Sequence, residues 1–432
     1  MMHGELIPLP ARFAELKQQI AASVPGFEHR VTQAWGELLK EMKGRTDEIA
    51  TRKTDVIPQV RFDDLQTLNA EVLENIRRRG CVVIRNVVDE AESQSWKEDL
   101  KTIVAENPVI GMPEDQKQFF MLYWTKPQVL ARAHPNVLAA SKWMNNLYHV
   151  KGGAVVDGVD LSTPLSYADR FRIRLPGSQW HVHPPHVDGG SIERWEDESF
   201  RQCFIDILNG RWKEHDPYDL GARINARTTL YGKPNQASVF RAFQGWLALS
   251  NTSPGEGTLQ VFPDVFLSNA YLILRPFFKP IAEAVTDVFS PAFWKFDISD
   301  ADFPGIYAQG DLFLGPAPNP FTHPHLQLEK TMISVPTVRP GDMVFWHCDL
   351  IHAVETEHKG EGDSSVLYIP AVPHTPSNAA YIAKQKESFL QGIPPPDYPF
   401  TGSEAGFKGV GTIQDILPFG RTAMGFDVEV AA

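Results

Sequence analysis

The stretch Trp180-His181-Val182-His183-Pro184-Pro185-His186-Val187-Asp188-Gly189-Gly190 decides how this chain is read. Residues two apart on a strand point to one face, so His186 and Asp188 can present an imidazole and a carboxylate side by side. Far downstream, Pro340-Gly341-Asp342 makes a tight turn into Met343-Val344-Phe345-Trp346, which delivers His347 and then His352. His-x-Asp with a distant His is the two-histidine, one-carboxylate set that holds non-haem Fe(II) and leaves positions open for a cosubstrate and O₂. The pair alone is weak in a chain of 14 histidines. Its context strengthens it, because Gly189-Gly190 lets the backbone leave the strand close to a metal. His186, Asp188 and His352 are therefore the expected metal ligands and catalytic set. His181 and His183 also alternate, and His347 competes for the distal place. Lining the pocket or bonding to the ligands is their plainer role. His323, His325, His358 and His374 read as surface, turn or supporting histidines.

Composition bounds the class. The chain has 432 residues, 43% hydrophobic and 22% charged, enough for a sizeable globular core. A formal net charge of −12 argues against nucleic acid, whose phosphates reward a basic stripe. No apolar run approaches the roughly 20 residues that span a bilayer. The opening Met1-Met2-His3-Gly4-Glu5 lacks the basic and apolar regions of a leader. Cys81, Cys203 and Cys348 are odd in number and far apart, so no disulfide framework is expected. A cytoplasmic protein acting on a small molecule fits, with no nucleic-acid or membrane partner.

Phe13, Leu16 and Ile20, then Val31, Trp35, Leu38, Leu39 and Met42, recur at helical spacing and predict an N-terminal helical extension over residues 1–60. Asp63 or Asp64 can cap a helix that Gly80 stops, and Cys81-Val82-Val83-Ile84 reads as a buried strand. From about residue 165, short β-branched and aromatic runs alternate with Pro and Gly. One domain over 61–432 is expected, with helical insertions near 191–220 and 264–290. Its predicted class is mainly β with flanking helices, around a double-stranded β-helix (jelly-roll, cupin-like) core. No nucleophile elbow, Cys-x-x-Cys or Walker loop occurs, and no dinucleotide fingerprint follows a strand. In His347-Cys348-Asp349 the residues are adjacent, which aligns poorly as a thiol relay.

Several segments resemble the Fe(II)/2-oxoglutarate-dependent oxygenases, in the phytanoyl-CoA-hydroxylase-like branch. Arg174-Leu175-Pro176-Gly177 is similar to a strand preceding the His-x-Asp in that branch. Gly245 to Leu249, Gly257 to Pro263 and Pro340 to His352 resemble its central and distal-histidine strands, and Arg79 to Arg85 resembles its opening. End to end, the chain is similar to the DUF1479 family, with Val366-Leu367-Tyr368-Ile369-Pro370-Ala371 adding to the match. Some fungal oxygenases associated with that group close an aziridine ring on free L-valine.

The resemblance implies Fe(II), 2-oxoglutarate and O₂, and attack on an unactivated C–H of a small molecule, in secondary metabolism. A free amino acid such as L-valine is the best match, with ring closure or hydroxylation as the outcome. One feature departs from the pattern. The superfamily usually places an arginine on the strand after the distal histidine, to grip the far carboxylate of 2-oxoglutarate. Here that strand reads Ser364-Ser365-Val366-Leu367-Tyr368. A bidentate guanidinium must come from elsewhere. Arg174 stands first, then Arg172, Arg241 and Lys359, with Tyr368 or Ser365 adding hydrogen bonds. Gln244 and Trp246 line the cosubstrate pocket in this alignment, although Trp246 reads equally as core. Arg241 is the expected cation for a substrate carboxylate. Met343 and Phe345 alternate on one strand and either face the substrate or pack as core. A cupin-type metal dioxygenase without 2-oxoglutarate is the alternative. A non-catalytic jelly-roll binding protein and a zinc hydrolase stand behind it.

Overall fold

A computed structural model describes residues 8–281, 287–398 and 402–426. The opening residues 1–5 and positions 282–286 of the second expected insertion lie outside the described residues.

The strands among the described residues fall into five sheets, and none closes into a barrel. The largest runs in the order Gln59–Arg61, Cys81–Arg85, Met343–His347, Phe243–Ala248, Ser364–Tyr368, Phe171–Arg174, Phe119–Phe120, Gly111–Met112. A second sheet sets Leu259–Val261 between Ile333–Ser334 and His352–Val354. The chain crosses between these two sheets repeatedly. Phe243–Ala248 leads to Leu259–Val261, and Met343–His347 leads to His352–Val354 before the chain returns at Ser364–Tyr368.

Paired residues in an antiparallel ladder share a face. Gln244 pairs with Trp346, Trp246 with Val344 and Tyr368, and Val366 with Arg172. These side chains form the face turned towards the second sheet. Arg172 and Arg174 cross to it and donate to carbonyls of Gly257 and Glu355.

The fold is mixed α/β, which corrects the mainly-β expectation. Phe27–Arg52 is a helix of 26 residues, Glu90–Glu106 of 17 and Pro376–Gln391 of 16. The longest strands have six residues. The helix before Cys81–Arg85 also starts later than its apolar pattern implied. Asn69, rather than Asp63 or Asp64, accepts the Val72 amide at 2.9 Å, and the helix spans Ala70–Arg79. Gly80 ends it at φ +66, where a Cβ would stand 2.8 Å from Val265. The N-terminal helices pack into the main core. Trp35 stacks on Phe278 with ring centroids 4.5 Å apart, and Phe13 meets Phe313 edge-on at 5.1 Å. Among the described residues no helix is long and apolar enough to cross a membrane.

The core holds neutral histidines whose burial makes stability depend on pH. His325 accepts the Tyr271 hydroxyl at Nδ1 (2.8 Å) and donates from Nε2 to the Val288 carbonyl (2.7 Å). Burial lowers its pKa to about 3, and burial does the same to His215. A depressed folded pKa means that the unfolded chain binds more protons between about pH 3 and 6.5. Stability is thus complete above pH 6.5 and falls as pH drops. Each residue is expected to cost about 2 kcal/mol at pH 5 relative to pH 7. Thermal melts across that range check this. A midpoint that does not fall would contradict it.

Candidate metal centre

The centre is built by backbone pairing. The His186 amide donates to the His352 carbonyl at 2.9 Å, and the His352 amide donates back to His186 at 2.9 Å. This reciprocal antiparallel bridge places the two side chains directly across from each other, with ring centroids 4.2 Å apart. Asp188, two residues on, shares their face. The positive φ of Gly189 (+72) and Gly190 (+103) then turns the chain away, and a Cβ at Gly190 would collide with Phe200 at 2.7 Å. Arg194 holds the turn by donating to the Asp188 carbonyl at 2.9 Å.

The imidazoles are fixed in one tautomer. His186 Nδ1 lies 2.7 Å from the Pro184 carbonyl and His352 Nδ1 lies 3.0 Å from that of Leu350. Each Nδ1 must carry the proton, so each Nε2 presents a lone pair. Those Nε2 atoms stand 3.7 and 3.6 Å from the two oxygens of Asp188. All three ligand atoms lie within 4.8 Å of one another. Burial first, and the proximity of the His352 ring second, lower the His186 pKa to about 4, so the ring is neutral at pH 7. Burial works against the Asp188 carboxylate, yet the polar environment of His186, His352 and the Arg241 guanidinium holds its pKa well below the usual range. Two neutral imidazoles and one carboxylate form the donor set that suits Fe(II).

Gln244 and Arg241 complete the surroundings. The Gln244 amide donates to Asp188 Oδ2 at 2.9 Å and accepts from Trp346 Nε1 at 3.2 Å. Arg241 places Nη2 3.9 Å from Asp188 Oδ2 and makes no hydrogen bond among the described residues. Both residues line a cavity of about 530 Å³ that opens onto Asp188, with Thr228, Ser238 and Phe240 on its walls.

The rival histidines are engaged elsewhere. His183 accepts from Trp180 Nε1 at 3.0 Å, with its ring 5.7 Å from that of His186. His181 is exposed. His347 Nε2 meets the Tyr148 hydroxyl at 2.7 Å and the Pro217 carbonyl at 3.1 Å. Its neighbours Cys348 and Asp349 could form a second ligand cluster with it. Asp349, however, is held by Arg194 at 2.7 Å and Arg223 at 2.6 Å, and burial pushes the Cys348 thiol up to about 11.

Three expectations need correction. Arg174 is no carboxylate clamp, because its nitrogens already donate to the carbonyls of Ser178, Gly257, Glu355 and Thr356 at 2.7–3.3 Å. Met343 and Phe345 lie on the other face of their strand, fully buried against Leu247 and Gly245, away from the cavity. Lys359 is an exposed side chain that pairs with Glu357, and Ser365 also points to the far face, paired with Ile173. Trp246 and Tyr368 do stand on the face that carries Gln244. The sequence reading overlooked Trp346 and Arg194. The signal for Trp346 was the alternation itself, taken one residue out of phase.

His186, Asp188 and His352 thus form a two-histidine, one-carboxylate cluster whose carboxylate lines the cavity. The chain belongs to the Gig2-like family, whose sequence pattern matches residues 7–426. GlcNAc Inducible Gene 2 (DUF1479) of Candida albicans is 34% identical, with 98% of this chain and 91% of that one superimposing at a TM-score of 0.85. YbiU of Escherichia coli K12, an uncharacterized protein, is 28% identical over 94% of this chain and 96% of its own length. A Salmonella typhimurium LT2 protein whose name proposes an oxidoreductase is 27% identical, at a TM-score of 0.79 over 98% of this chain and 99% of that one.

Proposed function

We propose that this protein is a non-haem Fe(II)/2-oxoglutarate-dependent oxygenase on a double-stranded β-helix, acting on an unactivated C–H of a small carboxylate-bearing molecule. A free amino acid such as L-valine is the preferred substrate, with ring closure or hydroxylation as the outcome. One observation carries the reading: His186 and His352 pair reciprocally and aim Nε2 lone pairs at Asp188 on the wall of the cavity. The name of the Salmonella relative points the same way.

His186, Asp188 and His352 would hold the metal, which with the oxo acid and O₂ supplies the oxidation of the C–H bond. The other roles belong to the chain itself. Gln244 holds Asp188 Oδ2 and so orients the carboxylate. Arg241, facing the cavity without a hydrogen bond, takes the substrate carboxylate. Phe240 and Val239 give the cavity an apolar flank for an aliphatic side chain, and Ser238 and Thr228 give it hydroxyls. A cavity of about 530 Å³ has room for a small acid beside a dicarboxylate.

A metal dioxygenase that uses no oxo acid is the second reading. It draws on the absence of an arginine from Ser364–Tyr368. The test is succinate release by Fe(II)-loaded protein given 2-oxoglutarate, O₂ and a panel of free amino acids. We expect stimulation by at least one of them and its loss in His186→Ala. Substrate oxidation without succinate would establish the second reading instead.

A further inference from the structure

The wall of the cavity that carries Arg241 has no ladder to hold it. Residues 224–242, between the helix Leu220–Arg223 and the strand Phe243–Ala248, form neither helix nor strand, yet they supply most of the cavity lining. An irregular stretch of that length inside a packed domain is usually functional. It keeps its shape only where partners from outside take up its backbone groups. Those partners come from the C-terminal region. The Phe240 amide donates to Asn378 Oδ1 at 2.9 Å, and Asn378 Nδ2 donates back to the Phe240 carbonyl at 3.0 Å. Asp397 ends the run Pro394-Pro395-Pro396-Asp397 and takes two more. Its carbonyl accepts the Asn235 amide at 2.9 Å, and its Oδ2 accepts the Ser238 amide at 3.0 Å.

The same carboxylate oxygen reaches the support of Arg241. Asp397 Oδ2 also accepts the Tyr167 hydroxyl at 2.8 Å. The Tyr167 ring backs Arg241, whose guanidinium carbon lies 5.8 Å from the ring centroid, and it stacks on Tyr381 at 5.4 Å. The ionic partners of Arg241 stand further off. Asp169 and Asp188 are each 3.9 Å away, and Asp169 is already engaged by Arg170 at 2.9 Å. Nor is the Asp397 side chain needed to keep its own segment in place. Trp124 Nε1 donates to the Ile393 carbonyl at 2.7 Å, and the Tyr398 ring stacks on Tyr123 at 5.0 Å.

We infer that Asp397 is a positioning residue for substrate binding, which through Oδ2 fixes both the cavity wall at Ser238 and the Tyr167 ring that backs Arg241. The inference rests on the reading of Arg241 as the receptor of a substrate carboxylate. Both side-chain bonds fall on one oxygen, so an amide carbonyl can take its place.

The test uses two readouts on the Fe(II)-loaded full chain. One is amide hydrogen exchange over residues 224–242 without substrate, followed by mass spectrometry. The other is the dependence of succinate release on the concentration of L-valine. In Asp397→Ala, exchange in the peptide holding Asn235 and Ser238 should speed up about tenfold or more. The KM for L-valine should rise about tenfold, with kcat and Fe(II) affinity within about threefold of the parent. Asp397→Asn should restore most of both, and Tyr167→Phe should raise KM without faster exchange at Ser238. Unchanged exchange in Asp397→Ala, or faster exchange with an unmoved KM, overturns the assignment. So does a loss in Asp397→Asn as large as that in Asp397→Ala. A parent that binds Fe(II) but releases no succinate with L-valine overturns the substrate reading instead. The exchange of Asp397→Ala against that of Asp397→Asn then decides by itself whether Oδ2 fixes the wall.

Discussion

Asp188→Ala is expected to abolish Fe(II) binding while leaving the fold in place, and Gln244→Leu to weaken binding by about 10–100-fold. The difference follows from what each side chain does. Asp188 supplies the only carboxylate within reach of the two Nε2 lone pairs among the described residues. Without it two neutral imidazoles remain, too few for an iron site of this kind. Gln244 does not reach the metal position. It holds Asp188 Oδ2 at 2.9 Å and is itself held by Trp346 Nε1 at 3.2 Å. Removing that amide lets the carboxylate rotate, so the metal loses orientation rather than a ligand. Trp346→Phe should give a smaller loss than Gln244→Leu, and the double variant should add little, because both act through one oxygen. Anaerobic titration of metal-free protein with Fe(II), with circular dichroism as the control for folding, checks the order. Equal affinity in Asp188→Ala and the parent would remove the centre from consideration.

Local rules carried part of this structure, and the limits of those rules explain the rest. The pairing of His186 with Asp188 followed from strand alternation within a single segment. The partner strand of His352 did not, because a reciprocal bridge between distant segments leaves no trace in either. Alternation also misled at Met343–His347, where every residue is buried and the apolar pattern is the same on both faces. Only the cross-strand register, with Trp346 opposite Gln244, tells the site face from the core face. Arg174 was a reasonable clamp until the fold brought the carbonyls of Gly257, Glu355 and Thr356 around it. Those come from loops far away in the chain, so sequence could rank Arg174 and Arg172 as candidates but could not say whose donors would be left free. The helices Glu90–Glu106 and Lys126–Ala133 lie between the opening strand and the β-rich region, and they account for much of the excess of helix over the mainly-β expectation.

Asp349→Ala should destabilise the protein by about 3–5 kcal/mol, read as a lower denaturant midpoint at unchanged slope. Asp349 is 1% exposed and forms ion pairs with Arg194 at 2.7 Å and Arg223 at 2.6 Å, themselves 3% and 5% exposed. Truncating it strands two cations in the interior, each without the anion that made its burial tolerable. Arg227→Ala, which breaks the pair of Asp197 with a largely exposed arginine, should cost no more than about 1 kcal/mol. The pH dependence separates this effect from that of the histidines. Burial opposes ionisation of Asp349, but Arg223 and Arg194 together hold its pKa far below the ordinary carboxylate range. With a depressed folded pKa, its stabilisation is present throughout the range above about pH 3.9 and is lost only below it. The cost of Asp349→Ala should therefore be flat from pH 8 to 5, while the parent itself weakens as its buried histidines resist protonation. The same arginine reaches the metal loop, since Arg194 also donates to the Asp188 carbonyl at 2.9 Å. Loss of Asp349 frees that guanidinium to move, so Fe(II) affinity should fall in the folded variant as well. The Asp349→Ala/Arg223→Met double variant should recover much of the stability, by removing one of the stranded charges, but not the metal affinity, because Arg194 stays unanchored. If stability and affinity recovered together, the metal loop would depend on Asp349 through packing alone and not through Arg194.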